Sequence, residues 1–165
     1  MIFNKKIKVA IDSPAAAGAG TQAKLISKHY NLFYLDTGKF YRILAYNKLK
    51  QPNKFNISNI KKQIKKIKLR DLNHKKLLSN EVGIEASKIS KNKTIRKLVD
   101  LVQRKYAYKP PKKYKGSCLD GRDITYNIVP DADFKFYITA NVKTRAFRRY
   151  KELKRLKKII NYKEV

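Results

Sequence analysis

The chain has 165 residues, with 41 lysines and arginines against 12 aspartates and glutamates, a formal net charge of +29; at 42% hydrophobic residues it can still bury the core of one compact domain, which excludes a disordered polycation. One cysteine, Cys118, excludes an intrachain disulfide, and Cys118, His29 and His74 build no metal cluster at their spacings. No apolar run reaches the roughly 18 residues of a membrane span, and Asp12 interrupts the apolar stretch behind Lys5, Lys6 and Lys8, so a cytoplasmic protein without a signal peptide is expected.

Ile7 to Ile11 is a short run rich in β-branched residues, and a small-residue segment from Ser13 to Gly20 follows at once, which predicts a strand and then a tight loop. From Thr21, Ala23, Leu25 and Ile26 among polar residues predict an amphipathic helix ending near His29 and Tyr30. Phe33 to Leu35 is a second strand, and Phe40, Ile43, Leu44 and Leu49 line one side of a second helix. Strand, helix, strand, helix in this order favours an α/β fold with a parallel sheet.

Gln51 to Asn56, with Pro52, reads as a linker, and Ile60, Ile64 and Ile67 fall at helical spacing. Between Leu69 and Glu81 only a turn or short hairpin fits. Helices are expected over Glu81 to Ser90 and Thr94 to Tyr106. Pro110 and Pro111 then break the pattern before a central strand from Ser117 to Asp120, a further strand over Phe134 to Thr139 and a basic helix from Val142 to Ile159. There is no internal repeat.

Three loops carry chemistry. Ser13, Pro14, Ala15, Ala16, Ala17, Gly18, Ala19, Gly20 and Thr21 lie between a strand and a helix, where small residues let backbone N–H groups wrap a phosphate. The pattern G-x-x-x-x-G-K-[ST] asks for glycine at 13 and lysine at 19, where this chain has Ser13 and Ala19. By pattern alone the segment reads equally as a tightly packed turn. Asp36-Thr37-Gly38-Lys39-Phe40-Tyr41-Arg42 sets a hydroxyl at a helix start and a guanidinium one turn on, in reach of an anion. Asp120-Gly121-Arg122-Asp123 ends the central strand, where open α/β sheets bind ligands.

Together these motifs resemble the bacterial cytidylate kinase family of nucleoside monophosphate kinases, over nearly the whole chain. IDSPAAAGAGT is similar to that family's P-loop, LDTGKFYR to its next signature, EVGIEASKIS to its base-binding helix and LDGRDI to its central-strand motif. The resemblance implies a P-loop kinase fold, a parallel sheet flanked by helices, with a helical acceptor-binding insertion over residues 51–92 of a single domain. It also implies transfer of a phosphoryl group from ATP to CMP or dCMP. On the matching positions, Thr37, Arg42 and Arg122 would hold the acceptor phosphate and Ser87, Arg96 and Asp123 would read the cytosine. Asp120, in part through water, and Thr21 would hold Mg2+.

The chain departs from that pattern at three places. Ala19 replaces the P-loop lysine, and Lys39 is the expected substitute with Lys24 as its rival. The segment from Leu69 to Glu81 is too short for the family's small hairpin sheet. The chain also ends at Val165, before the arginine- and aspartate-rich lid, of which Arg145, Arg148, Arg149 and Arg155 would be the beginning; an incomplete product with an exposed, aggregation-prone sheet edge is therefore expected. A monomer is expected.

Two other readings stand beside this one. A single-stranded nucleic-acid-binding protein would use the basic helix and the Lys105 to Lys115 segment, where Tyr106, Tyr108 and Tyr114 alternate with lysines. Against it, the cations are 32 Lys and only 9 Arg, spread along the chain rather than gathered in an arginine patch. A degenerate kinase homologue would bind nucleotide without turnover.

Overall fold

The structure, a computed structural model, describes residues 5–155. These fall into two compact units, one formed by the chain up to Asp36 together with the chain from Gln103 onward, the other by Thr37–Val102.

The first unit is built on a parallel sheet of four strands: β1 (Ile7–Asp12), β2 (Phe33–Asp36), β3 (Gly116–Gly121) and β4 (Phe134–Tyr137), in the order β2-β3-β1-β4. Val9, Ala10 and Ile11 of β1 and Cys118 and Leu119 of β3 are buried, the continuous apolar run of strands covered on both faces. The chain leaves β1 through helix α1 (Ala19–Tyr30) towards β2, past β3 on one side, and leaves β3 towards β4, past β1 on the other. Connections that part in opposite directions open a crevice at the carboxyl ends of β1 and β3, the general ligand position of open α/β sheets. Phe134, Phe136 and Tyr137 of the edge strand β4 are exposed.

Helix α1 begins at Ala19, two residues before the expected start, because Gly18, in the left-handed region at φ 103°, turns the chain directly into it. Ala23 is fully buried, whereas Leu25 is 58% exposed and lies off the buried face. The strand expected to reach Thr139 ends at Tyr137. The first unit closes with α6 (Val142–Arg155), which carries Arg145, Arg148, Arg149 and Arg155; residues 156–159 of the expected helix lie outside the described residues.

The second unit is helical: α2 (Gly38–Lys50), α3 (Ile57–Lys66) and α4 (Asn80–Ile89), followed by α5 (Lys93–Tyr108), whose last residues belong to the first unit. Phe40, Ile43 and Leu44 bury one stripe of α2, but Leu49 is 38% exposed at its end. Side chains start the later helices: Asn56 accepts from Asn59 N–H at 3.0 Å and Ser79 from Val82 N–H at 3.2 Å. Pro52–Lys54, in the expected linker, forms a single 3-10 turn.

Residues 69–78 bear out the turn, not the hairpin, of the two alternatives expected. They form two 3-10 turns, Leu69–Asn73 and Lys75–Leu78, each burying one leucine, Leu72 and Leu77. Asp71 accepts from Lys68 N–H at 2.8 Å and His74 Nδ1 from Lys76 N–H at 3.2 Å. These local side-chain bonds satisfy the backbone where a hairpin would need a partner strand.

Candidate active site

The loop after β1 is anchored at its base. Ser13 N–H donates to Gly121 O at 3.0 Å, and Ile138 N–H to Asp12 O at 2.9 Å, so the ends of β1, β3 and β4 are stitched together where the loop begins. Ala16 is held at φ 60°, a left-handed conformation costing about 1–2 kcal/mol in a residue with a Cβ, and Gly18 follows at φ 103°. Local strain of this kind is typical of ligand-holding loops. Behind it, α1 starts with neither a side-chain cap nor an acidic residue in its first turn. A helix N-terminus of this kind presents N–H groups and a positive dipole end to an anion.

Asp120, 9% exposed at the end of β3, flanks this helix start. Tyr34 Oη donates to its Oδ2 at 3.5 Å, and a Cβ on Gly20 would stand 3.1 Å from that oxygen and 3.3 Å from the phenol. Burial first, and then the charges of Asp120 and Asp36, push the Tyr34 phenol well above its ordinary pKa, so it stays protonated and can donate. The bare Gly20 thus leaves a carboxylate oxygen against the turn that carries Thr21. Hard oxygen donors of this kind suit Mg2+, which is usually held by one or two protein oxygens plus substrate phosphates. Among the described residues no cluster of three or more His, Cys, Asp or Glu forms a metal cage of its own.

After β3 the chain passes Arg122, which is exposed, and Asp123, whose Oδ2 accepts from Asn127 Nδ2 at 3.1 Å, into a π-helical turn, Ile124–Ile128. Asp12, 4% exposed, holds that turn: its carboxylate accepts from Ile124 N–H at 2.7 Å, Thr125 N–H at 3.0 Å and Thr125 Oγ1 at 2.5 Å. The first unit therefore gathers the P-loop, Asp120, Arg122 and Asp123 on two strand ends that share hydrogen bonds.

In the second unit, Thr37 is buried at the N-cap position of α2, with no side-chain capping bond, and Lys39 is half-buried in the first turn. Arg42, one turn on, donates from Nη1 to Leu77 O at 2.7 Å and packs over Gly83, where a Cβ would stand 3.3 Å from Nη2. Ser87 is exposed on α4, and its carbonyl accepts from Ser90 Oγ at 2.9 Å. Arg96 is half-buried in the first turn of α5 and donates to Ser90 O at 3.5 Å, so Ser90 links the two candidate base-reading residues.

Sequence reasoning misses two residues of this site and places a third, Arg148, at the start of a lid rather than on the loop. Asp12 had been read only as a break in an apolar run, and Tyr34 as a strand residue. Arg148 of α6 donates from Nη1 to Ala17 O at 2.8 Å and Ala16 O at 3.5 Å, which no local signal announces. Cys118 is buried, and burial pushes its thiol up to about 11, the behaviour of a structural cysteine.

The tyrosines offered to nucleic acid are engaged in the first unit's packing. Tyr106 and Tyr114 pack in tilted geometry against Phe33, ring centroids 5.7 and 5.6 Å away, and Tyr108 donates to Asp131 and sits under Lys8. No described helix is long and apolar enough to cross a membrane.

The profile of the family described as cytidylate kinase matches residues 9–165. A cytidylate kinase of Bartonella tribocorum is 46% identical over 164 residues, covering 98% of this chain and 74% of that protein. Cytidylate kinases of Mesorhizobium japonicum and Mesomycoplasma hyopneumoniae are 37% and 35% identical, covering 95% and 90% of this chain and 71% and 68% of theirs. A strained small-residue loop before an uncapped helix, a carboxylate at the neighbouring strand end and relatives matched along nearly the full chain agree: the chain belongs to the cytidylate kinase family.

Proposed function

We propose that this protein transfers a phosphoryl group from ATP to CMP or dCMP, giving CDP or dCDP. The observation that carries the reading is the uncapped start of α1 behind Ala16 and Gly18 with the Asp120 carboxylate at its side. Backbone N–H groups within the loop of residues 13–21, other than that of Ser13, which is bonded to Gly121 O, hold the donor's phosphates. Asp120, in part through water, and Thr21 are the oxygen donors for Mg2+, which when bound neutralises charge on the phosphates. Thr37, Arg42 and Arg122 hold the acceptor phosphate, since planar guanidinium groups match phosphate oxygens in pairs. Asp123 accepts from the cytosine amino group, with Ser87 and Arg96 as its partners on the base, and the acceptor-binding segment is 51–92. Lys39 contacts the transferring phosphate. Positioning and charge do the work in such a transfer, and no covalent intermediate is required.

The test is ADP formation from ATP with CMP, dCMP, UMP or AMP as acceptor, beside a thermal-shift titration with the same nucleotides. A ligand at about 100 times its Kd adds roughly 2.7 kcal/mol, several degrees for a domain of this size. Turnover and shifts selective for the cytidine nucleotides are expected. Equal responses to all four refute the assignment of Ser87, Arg96 and Asp123. Selective shifts without turnover identify a nucleotide-binding homologue that has lost catalysis, the reading Ala19 favours.

A further inference from the structure

The P-loop position that carries lysine in the usual pattern is Ala19, 4% exposed, so the loop brings no side-chain cation of its own to a phosphate chain. Of the two substitutes the sequence suggests, Lys24 lies over the Tyr34 ring at 5.8 Å and Lys39 belongs to the second unit. A cation that does touch the loop is Arg148. Its Nη1 lies 2.8 Å from Ala17 O, 3.5 Å from Ala16 O and 3.4 Å from where a Cβ on Gly18 would stand.

These contacts fall on the part of the loop whose conformation costs most. Ala16 is left-handed, and its carbonyl and the next are the two that the guanidinium holds. In a trans peptide the N–H points opposite to the C=O, so drawing Ala17 O towards Arg148 turns the Gly18 N–H to the other side of the loop. At the same time a permanent positive charge is set beside the N-cap of α1, where an anion already gains from the helix dipole. A Cβ at position 18 would stand in ordinary contact with Nη1, so it is the φ of 103° that calls for glycine there.

We propose that Arg148 is a positioning residue that compensates for Ala19: it fixes the Ala16–Gly18 turn so that the loop's N–H groups face the donor's phosphate chain, and it supplies the positive charge that the loop lacks. The inference rests on the reading that a nucleotide phosphate chain occupies this loop.

The test is calorimetric titration of the full chain with Mg-ATP, with inorganic tripolyphosphate and, separately, with CMP. Arg148→Ala is expected to weaken ATP and tripolyphosphate about tenfold, the scale of one charged hydrogen bond, and to leave CMP within about twofold. Lys151→Ala, which removes an equal charge from α6, should leave all three within about twofold, and Arg148→Lys should recover most of the affinity. Adding Ala19→Lys to Arg148→Ala should restore binding, which a merely structural role for Arg148 would not allow. The inference is overturned if Arg148→Ala costs no more than Lys151→Ala, if CMP weakens as much as ATP, or if Ala19→Lys restores nothing. A parent chain that binds CMP but neither ATP nor tripolyphosphate also overturns it and leaves the acceptor reading standing; one that binds tripolyphosphate but not CMP does the reverse.

Discussion

Replacing Asp12 by asparagine exchanges a buried carboxylate for a neutral group of the same shape, at the point where the turn after β3 is tied to the end of β1. The carboxylate accepts from Ile124 N–H through Oδ1, and from Thr125 N–H and Oγ1 through Oδ2. An asparagine has one acceptor oxygen, so in either orientation its amide nitrogen faces at least one N–H that is itself a donor. Hydrogen bonds to charged groups are worth about 1.5–3 kcal/mol, and a stranded buried N–H costs about 1–3 kcal/mol, so Asp12→Asn is expected to remove about 2–4 kcal/mol of stability. Against a total of roughly 5–15 kcal/mol for a domain, that is a large fraction.

Thr125→Val removes the hydroxyl alone and should cost about 1–2 kcal/mol. Urea unfolding at pH 7, followed by circular dichroism, measures both through the midpoint at unchanged slope. In the double variant the two costs should fail to add, because both substitutions act on the same carboxylate and its shared hydrogen bonds. The same loss should weaken CMP, since Arg122 and Asp123 are spaced between Gly121 and the clamped Ile124. A cost below about 1 kcal/mol for Asp12→Asn, or strict additivity of the two substitutions, refutes the clamp.

Gly20→Ala sets a Cβ 3.1 Å from the Asp120 carboxylate in a helix that gains about 1 kcal/mol from alanine, so thermal stability should hold while kcat and Mg2+-dependent ATP binding fall; unchanged kcat would show that the carboxylate can move without consequence. Lys39→Ala should lower kcat while leaving ATP affinity intact, and full activity would remove Lys39 from the site. Lys5 beside Asp133, and the Tyr108 hydroxyl beside Asp131, hold these carboxyls below their ordinary pKa. A depressed carboxyl stabilises the fold above the unfolded value of about 3.9 and loses that contribution as pH falls through the folded value. Melting temperature should therefore drop on acidification below about pH 4, and Asp133→Asn should flatten that drop; parallel melting curves for parent and variant between pH 3 and 6 would refute the assignment.

The parallel core was legible because β1 is a short β-branched run and strands alternate with helical patterns along the first part of the chain. Helices α2 to α5 were legible from their isoleucine and leucine periodicity. Boundaries shifted where a single backbone conformation decides them, as at Gly18, whose left-handed turn starts α1 two residues early. Residues 69–78 were legible only as a turn or hairpin because their four leucines fit several short structures, and the caps at Asp71 and His74 select 3-10 turns. The tyrosines of the Lys105 to Lys115 segment show the opposite error: an alternation that looks like a stacking surface is spent on Phe33 and Asp131.

The candidate site divides along the same line. Motifs of consecutive residues, the loop from Ser13 to Thr21 and Asp120 to Asp123, are read directly because one strand end delivers them whole. What supports them is delivered by other parts of the chain: Asp12 reaches Thr125 across 113 positions and Arg148 reaches Ala17 across 131. A search for the missing P-loop cation within the sequence motifs therefore returns Lys24, one turn into α1, and Lys39, in the first turn of α2. Within the folded first unit, what decides is the distance between charged group and carbonyl, and by that measure the basic helix α6 supplies the arginine. The strong positive charge of the chain explains why this was hidden, since among 41 basic residues Arg148 reads only as part of a basic helix and lid until its partner is known.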